Sequence, residues 1–294
     1  MAMRLRLALI LALAAGPGAA ETAVDCARMP DLLRDLSGLA VTAPPAASAE
    51  DWCVLDGARL GPDGGPRITA AQLRARATAD GPEILSLALE ARGLRLAPDP
   101  RDPGMPDWLR DLLRLQSGDL RLMLRREVEA DRLLLDLARL DLSGGTMLEL
   151  SGALAGAGIA PRTLPSGRLR QVRLVWRSDG STLRPVLAAW GARLKPGLAE
   201  GAAVEAARAA LLALAAAVPA GALGEVARKE LESAIRALPQ GRGRLTVDLA
   251  SEGGIGAADL GLLALLRDPS GSDALAQFLA GSRLDIDWQP GILP

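Results

Sequence analysis

The sequence contains no histidine, no tyrosine and no asparagine, and only two of its 34 basic residues are lysines. Without histidine the chain cannot form a Ser-His-Asp or Cys-His catalytic group, because these need an imidazole that titrates near neutral pH. Histidine ligation of zinc, copper or haem iron is excluded as well. Two cysteines are too few for a four-cysteine metal site or an iron–sulfur cluster. We therefore assign no catalytic residue, no metal ligand and no cofactor-binding residue.

The charges are nearly balanced, with 34 basic and 35 acidic residues and a formal net charge of -1. A nucleic-acid-binding protein usually shows a basic stripe, so we expect no nucleic-acid partner. Hydrophobic residues make up 49% of the chain and charged residues 23%, which is typical of a globular protein with a substantial core. The scarcity of Lys and Asn beside abundant Ala, Gly, Arg and Leu is typical of a GC-rich genome and indicates little about function.

The first twenty residues have the three-part layout of a secretory signal peptide. Arg4 and Arg6 precede an apolar run of nine residues, 7–15, and a Gly-Pro pair then separates this run from small residues that end at Ala20. The apolar run is too short to span a bilayer, which takes about 20 residues. We predict cleavage after Ala20, a periplasmic location, and no membrane span in the mature chain.

Cys26 and Cys53 are the only two cysteines. In an oxidising compartment an isolated pair favours a structural disulfide, whereas catalytic dithiols usually form a C-x-x-C motif. We therefore predict a Cys26–Cys53 disulfide that staples an N-terminal segment, residues 21–66. A single α+β domain is predicted to follow over residues 67–294.

Alternation of apolar and polar residues with a period of two dominates this domain and predicts β-strands. It occurs at residues 73–77, 85–89, 120–124, 147–150, 172–176, 245–249 and 284–288. Residues 132–142 are also strand-like, and the following Ser143-Gly144-Gly145 turn predicts a hairpin with the strand at Met147. Strands with one apolar face are typical of antiparallel sheets. We predict an antiparallel, curved sheet of about seven to nine strands.

In the C-terminal half the period changes to that of helices. Helices are predicted there at residues 182–194, 201–218, 223–238, 257–267 and 272–279, and a separate short helix is predicted among the strands at 106–115. The turns at 178–180 and 251–254 are each predicted to begin a helix. The apolar stretch 209–223 contains Pro219 and is short, which favours a buried helical hairpin over a membrane span. The domain is thus divided into an antiparallel meander (67–177), a helical segment packed on the apolar sheet face (182–238) and a strand-helix-strand unit (242–289).

Paired carboxylates are the one catalytic device that the composition leaves open, because glycosidases and aspartic hydrolases need no histidine. Asp136 and Glu149 could face each other across the predicted hairpin, with Glu127, Glu129 and Asp131 nearby. Carboxylates that alternate with leucines are more often the solvated face of a sheet. A carboxylate-based hydrolase is therefore kept only as the last alternative.

Residues 133–154, LLLDLARLDLSGGTMLELSGAL, resemble the leucine-rich strand meanders of proteobacterial periplasmic proteins distantly similar to the AsmA/TamB group of envelope proteins. The strand-then-helix stretch 172–190 is similar to segments of the same proteins. The resemblance implies a bent sheet with an apolar concave face, which handles lipids in the AsmA/TamB group. This chain departs from that group in its large helical segment and in lacking a predicted membrane anchor. No functional residue can be carried over.

These features predict an exported, non-catalytic periplasmic protein. The first expected role is binding of a lipid or another hydrophobic ligand in envelope maintenance, because several strands carry leucines on one face. The alternative is a structural or interaction module that binds another envelope protein, with the helices completing the core. The two roles differ in whether the helices leave the apolar sheet face open or cover it.

Overall fold

A computed structural model of the chain describes residues 21–44, 47–61, 67–97, 110, 116–178, 180, 183–256 and 272–291. The predicted signal peptide and the helix predicted at 257–267 lie outside these residues, as does all of the helix predicted at 106–115 except Arg110. Within them, the strands form one open antiparallel sheet of 14 strands, so the fold is mostly β. The prediction of an antiparallel sheet is confirmed, but the expected number of seven to nine strands is wrong.

The additional strands lie between residues 22 and 69, five of them in the N-terminal segment, and are two to five residues long. They are β1 (Thr22–Ala23), β2 (Val41–Thr42), β3 (Ala47–Ala49), β4 (Trp52–Asp56), β5 (Arg59–Leu60) and β6 (Arg67–Thr69). Strands this short contain too few residues for a period of two to be recognised, which is why the sequence did not indicate them. They join the large sheet through the pairing of β4 with β7 and of β6 with β8, whose bounds follow.

Eight longer strands form an up-and-down meander in which each strand pairs with the next along the chain. They are β7 (Gln72–Asp80), β8 (Glu83–Ala97), β9 (Ser117–Glu127), β10 (Arg132–Leu142), β11 (Met147–Ala155), β12 (Arg168–Ser178), β13 (Gly243–Gly256) and β14 (Ser282–Pro290). The predicted hairpin of residues 132–142 with the strand at Met147 is confirmed as β10 and β11.

The helix predicted to begin at residues 251–254 is wrong, because β13 continues through these residues to Gly256. Opposite them, the pairing jumps from Gln171–Ala250 to Leu169–Ile255, so the Ser-Glu-Gly-Gly sequence forms an irregularity within the ladder. The guanidinium of Arg168 donates hydrogen bonds to the carbonyl oxygens of Gly253 (3.0 Å) and Gly254 (3.2 Å). These bonds satisfy carbonyl groups that the bulge leaves without a ladder partner.

Five α-helices lie within the described residues: α1 (Met29–Ser37), α2 (Leu183–Leu194), α3 (Glu200–Ala217), α4 (Glu225–Ala237) and α5 (Ser272–Phe278). The four helices predicted between residues 182 and 279 that fall in described parts of the chain are confirmed to within about two residues, the usual uncertainty of helix ends. None of the described helices is both long enough and apolar enough to cross a membrane.

Helix α1 builds the first core against the sheet. Met29 is fully buried and Leu33 nearly so, and both pack in a cluster with Leu55, Leu73 and Leu87 of the strands. The Sγ atoms of Cys26 and Cys53 are 2.05 Å apart, so the predicted disulfide pair is present and joins the start of α1 to β4. Burying a side chain such as Met29 stabilises the fold by about 1.5–3 kcal/mol.

Helices α2 to α4 form a second, smaller cluster around Leu187, Val204, Ala207 and Leu238. The turn before α4 also pairs with the last strand, since the backbone N–H of Leu284 donates to the carbonyl oxygen of Ala222 at 2.7 Å. This contact covers part of the β14 edge, and covered edges are protected from pairing with other chains.

Candidate functional site: the apolar face of the sheet

Strands β8 to β14 share one apolar face, formed by three rows of directly paired residues. The first row is Ala91, Leu120, Leu140, Leu148, Trp176, Leu245 and Trp288. The second is Leu89, Leu122, Ala138, Leu150, Leu174, Val247 and Ile286. The third is Leu87, Leu124, Leu135, Gly152, Val172, Leu249 and Leu284. We call these three rows the apolar face.

A β-bulge in β10 keeps these rows apolar. The pairing with β11 shifts between Leu135 and Ala138, which adds one residue to β10. Strict alternation from Leu135 would place Arg139 among the leucines, because successive side chains point to opposite faces. The bulge instead places Leu140 opposite Leu148 on the apolar face and turns Arg139 to the opposite face, opposite Glu149.

Gly152 is the one residue of the third row without a side chain. A Cβ atom there would lie 2.5 Å from the carbonyl oxygen of Gln171 and 3.2 Å from the side chain of Val172. The backbones of β11 and β12 therefore approach too closely at this point for any other residue. The result is a shallow interruption between Leu135 and Val172 in an otherwise continuous surface of side chains.

The middle of the apolar face is only partly covered. Leu148 is 41% exposed, and its neighbours Leu150, Leu174 and Val247 are half-buried. A leucine in a packed core is instead almost completely removed from water, as Leu133 is with 2% exposure. The structure thus leaves part of the leucine surface accessible.

The two core clusters reach the apolar face at different places. Leu120 and Leu124 pack against the cluster around α1. On the helical side, Trp176 is the only residue of the three rows, among those the structure describes, that packs against the cluster of α2 to α4. The helical segment therefore contacts the apolar face through Trp176 and, by the hydrogen bond between Leu284 and Ala222, at β14. The leucines around Leu148 lie between these contacts and those of the cluster around α1.

On β9 to β11 the opposite face of the sheet is rich in ion pairs, whereas Val175 of β12 and Thr246 of β13 are buried on that face. The guanidinium of Arg125 lies 2.9 Å from Glu127 and 3.3 Å from Asp136, and that of Arg139 lies 2.8 Å from Asp141 and 3.7 Å from Glu149. Exposed pairs of this kind each stabilise a fold by about 0–1 kcal/mol. Such charged side chains favour contact with water, so on these strands the leucines lie on the other face.

The carboxylates considered as catalytic candidates do not face each other. Glu149 pairs in register with Arg139, and Asp136 lies at the bulge beside Arg125. Glu127 binds Arg125 and Arg132, which hold the pKa of its carboxyl below the usual value, the bond from Arg132 having the larger effect. A general acid needs the opposite, a raised pKa. Glu127, Asp136 and Glu149 therefore each form ion pairs with arginines.

Arg139 is expected to control the ionisation of Asp141. Its hydrogen bonds lower the pKa of the Asp141 carboxyl below the usual value for aspartate, with the charges of Arg121 and Arg177 adding smaller effects. Replacing Arg139→Gln should raise that pKa, as followed by carboxyl NMR shifts during acid titration. Because the folded-state pKa is the lower one, the wild-type pair stabilises the fold above the unfolded-state pKa and stops doing so as pH falls through the folded-state value. Arg173→Gln, which removes the exposed partner of Asp248, should leave the Asp141 titration unchanged.

Compared with known proteins, the chain matches no family model and no curated protein at a significant level. The resemblance to the AsmA/TamB group therefore stays a prediction, and so do the signal peptide and the periplasmic location.

Proposed function

We propose that this protein is an exported, non-catalytic envelope protein that holds the acyl chain of a lipid on its apolar face. The observation that carries this proposal is the partial exposure of Leu148 in the middle of three paired rows of apolar residues. Contiguous exposed apolar surface is unusual in a soluble monomer and marks a binding surface. Each methylene group that leaves water for such a surface contributes about 0.8 kcal/mol.

The chemistry of the face suits an acyl chain better than a polar ligand. Strands β9 to β13 are paired on both sides, so their backbone N–H and C=O groups are used within the sheet. The exposed middle of the rows presents aliphatic side chains and no charged group. A ligand lying there gains contact area and almost no hydrogen bonds, which is the requirement of a hydrocarbon chain and not of a sugar or a peptide.

The sheet provides a matched pair of positions to test this proposal. Leu148 and Met123 are both 41% exposed, but Leu148 lies on the apolar face and Met123 on the opposite face. We expect native mass spectrometry of the protein exported by a Gram-negative host to show one bound lipid per chain. Leu148→Gln should lower the lipid affinity about tenfold, since it places an unpaired amide against the acyl chain. Met123→Gln should leave the affinity unchanged.

Two results would contradict the proposal. One is a wild-type protein that carries no lipid and takes up none from added phospholipid. The other is an equal loss of lipid from the Leu148→Gln and Met123→Gln proteins, which would show that the effect does not depend on the face. Circular dichroism of both variants confirms that they are folded before the comparison is made.

A protein-binding role is the second candidate, and the surface of α2 favours it. Val186 and Leu194 of this helix and Leu198 after it are exposed, and none belongs to the apolar face. Val186 and Leu194 are eight residues apart and so lie on one side of the helix. If this surface binds another envelope protein, Val186→Asp should release that partner from the purified complex, whereas Leu148→Gln should not.

A further inference from the structure

A cleft of about 730 Å³ lies between α1, the turn that joins β7 to β8, and residues 160–162. It is outside the exposed middle of the apolar face. One part of its lining is apolar and is formed by Val24, Leu32, Leu36 and Ile84. The charged part is formed by Arg28, Asp31, Arg34, Asp35 and Arg162. The cleft therefore combines hydrocarbon and charge, as the binding site of an amphiphile must.

Some charged side chains of the cleft form ion pairs and others do not. Arg34 lies 2.9 Å from Asp31 and 3.4 Å from Asp35, so both carboxylates share one guanidinium. The side chains of Arg28 and Arg162 make no hydrogen bond or ion pair with any described residue. The lining thus carries one net positive charge, and its two unpaired cations can bind an anion without breaking an existing pair.

The backbone holds both of these arginines in defined places. Arg28 ends a 3₁₀ turn whose first residue, Cys26, is joined to Cys53, and the carboxylate of Asp25 accepts a hydrogen bond from the N–H of Ala27 at 3.0 Å. Anchoring of this kind limits the backbone entropy that is lost when Arg28 binds a ligand.

Arg162 lies in a loop that is closed by the hydroxyl of Thr163. This hydroxyl accepts a hydrogen bond from the N–H of Gly158 at 3.1 Å and donates one to the carbonyl oxygen of Ala160 at 2.7 Å. The loop is further fixed by the buried side chains of Ala157 and Ile159, which belong to the first core cluster. The two arginines are therefore supported by separate, well-anchored segments.

The apolar wall of the cleft is connected to the apolar face. Val24, Leu32, Leu36 and Ile84 pack against the same core cluster as Leu120 and Leu124, which belong to the rows. An acyl chain that lies in the cleft can contact this wall. A headgroup beside Arg28 and Arg162 is thus compatible with a chain that extends toward the leucines.

We propose that this cleft binds the anionic headgroup of the amphiphile, with Arg28 and Arg162 contacting a carboxylate or a phosphate. The inference rests on the proposed lipid-binding function and adds the class of lipid. Guanidinium groups suit both anions, because they donate two parallel hydrogen bonds to a pair of oxygens. Asp31 and Asp35 oppose a second anion, which limits the site to one headgroup.

The test measures binding of three probes by titration calorimetry: monomeric oleate, oleyl alcohol and inorganic phosphate. The double variant Arg28→Gln/Arg162→Gln is compared with wild type and with Arg193→Gln, which removes an exposed arginine of α2 outside the cleft. We expect the double variant to bind oleate at least about tenfold more weakly, since charged hydrogen bonds are lost. Its affinity for oleyl alcohol should be unchanged, and Arg193→Gln should match wild type with every probe.

Three other outcomes would contradict the headgroup site, and each identifies which part of the proposal fails. If the double variant binds oleate as tightly as wild type does, the site is wrong but the proposed lipid binding stands. If phosphate alone binds wild type as tightly as oleate does and is lost in the double variant, the cleft is a site for free anions. If wild type binds neither oleate nor oleyl alcohol, the proposed function fails and the headgroup site fails with it.

Discussion

Gly191→Ala should destabilise the helical segment by about 3 kcal/mol, the upper end of the usual cost of overpacking. A Cβ atom at Gly191 of α2 would lie 1.7 Å from the carbonyl oxygen of Ala203 in α3. Both elements of the clash are main chain, so no side-chain rotation relieves it and the two helices must move apart. Their separation exposes Leu187 and Val204, which are buried between them. Urea unfolding followed by the fluorescence of Trp190, which packs against the same cluster, measures the loss.

Gly201→Ala is the matched control for this prediction. Gly201 lies in the first turn of α3, and an added Cβ there meets no atom within 4 Å. Alanine favours a helix over glycine by about 0.5–1 kcal/mol, so this variant should be slightly more stable than wild type. Equal stability of Gly191→Ala and wild type would show that α2 and α3 do not cross in contact at this glycine.

Loss of the Cys26–Cys53 disulfide should lower the stability of the chain by about 3–4 kcal/mol. The two cysteines are separated by 27 positions in the sequence, and opening a loop of that length returns chain entropy to the unfolded state. The disulfide also joins α1 to β4, where Met29 and Leu55 are fully buried. The urea midpoint of the Cys26→Ala/Cys53→Ala double variant, compared with oxidised wild type, measures this loss.

Reduced wild-type protein is the control for the double substitution. Cys53 is 2% exposed, so replacing it with alanine also removes a little packed volume. Reduction keeps that volume and removes only the covalent link, so it should account for most of the loss seen in the double variant. A reduced protein as stable as the oxidised one would contradict the role given to the disulfide.

The sequence predicted those elements that are long and regular. The helical pattern of residues 182–238 is punctuated by Lys195-Pro196-Gly197 and Pro219, and α2 and α3 end close to these two breaks. The hairpin of β10 and β11 was predicted because its turn is rich in glycine. Helix α1 was missed because nine residues with a proline in the first turn form only a weak pattern in a segment without other periodic signals.

From the sequence, the candidate site could be predicted only as an apolar face on each strand separately, and not as one continuous surface. Whether those faces coincide depends on register, and several bulges shift the register along the meander, among them one extra residue at Ala91–Leu94 of β8, one at Leu135–Ala138 of β10 and three in β13 opposite Leu169–Gln171. A bulge of one residue reverses which side chains of a strand point to each face. The alternation of apolar residues before a bulge therefore does not predict the face on which the residues after it lie. The expected pairing of Asp136 with Glu149 is wrong, because the register set at the turn places Arg139 opposite Glu149.

The most direct test of the account is quenching of Trp176 fluorescence by a brominated acyl chain. Trp176 is half-buried and pairs directly with Leu148 on the apolar face. Bromine quenches only an indole that it closely approaches, so dibromostearate bound on this face should reduce the wild-type emission. The quenched component should be absent from the Trp176→Phe protein. Dibromostearate that binds and leaves the Trp176 emission unchanged would contradict the placement of the acyl chain on the apolar face.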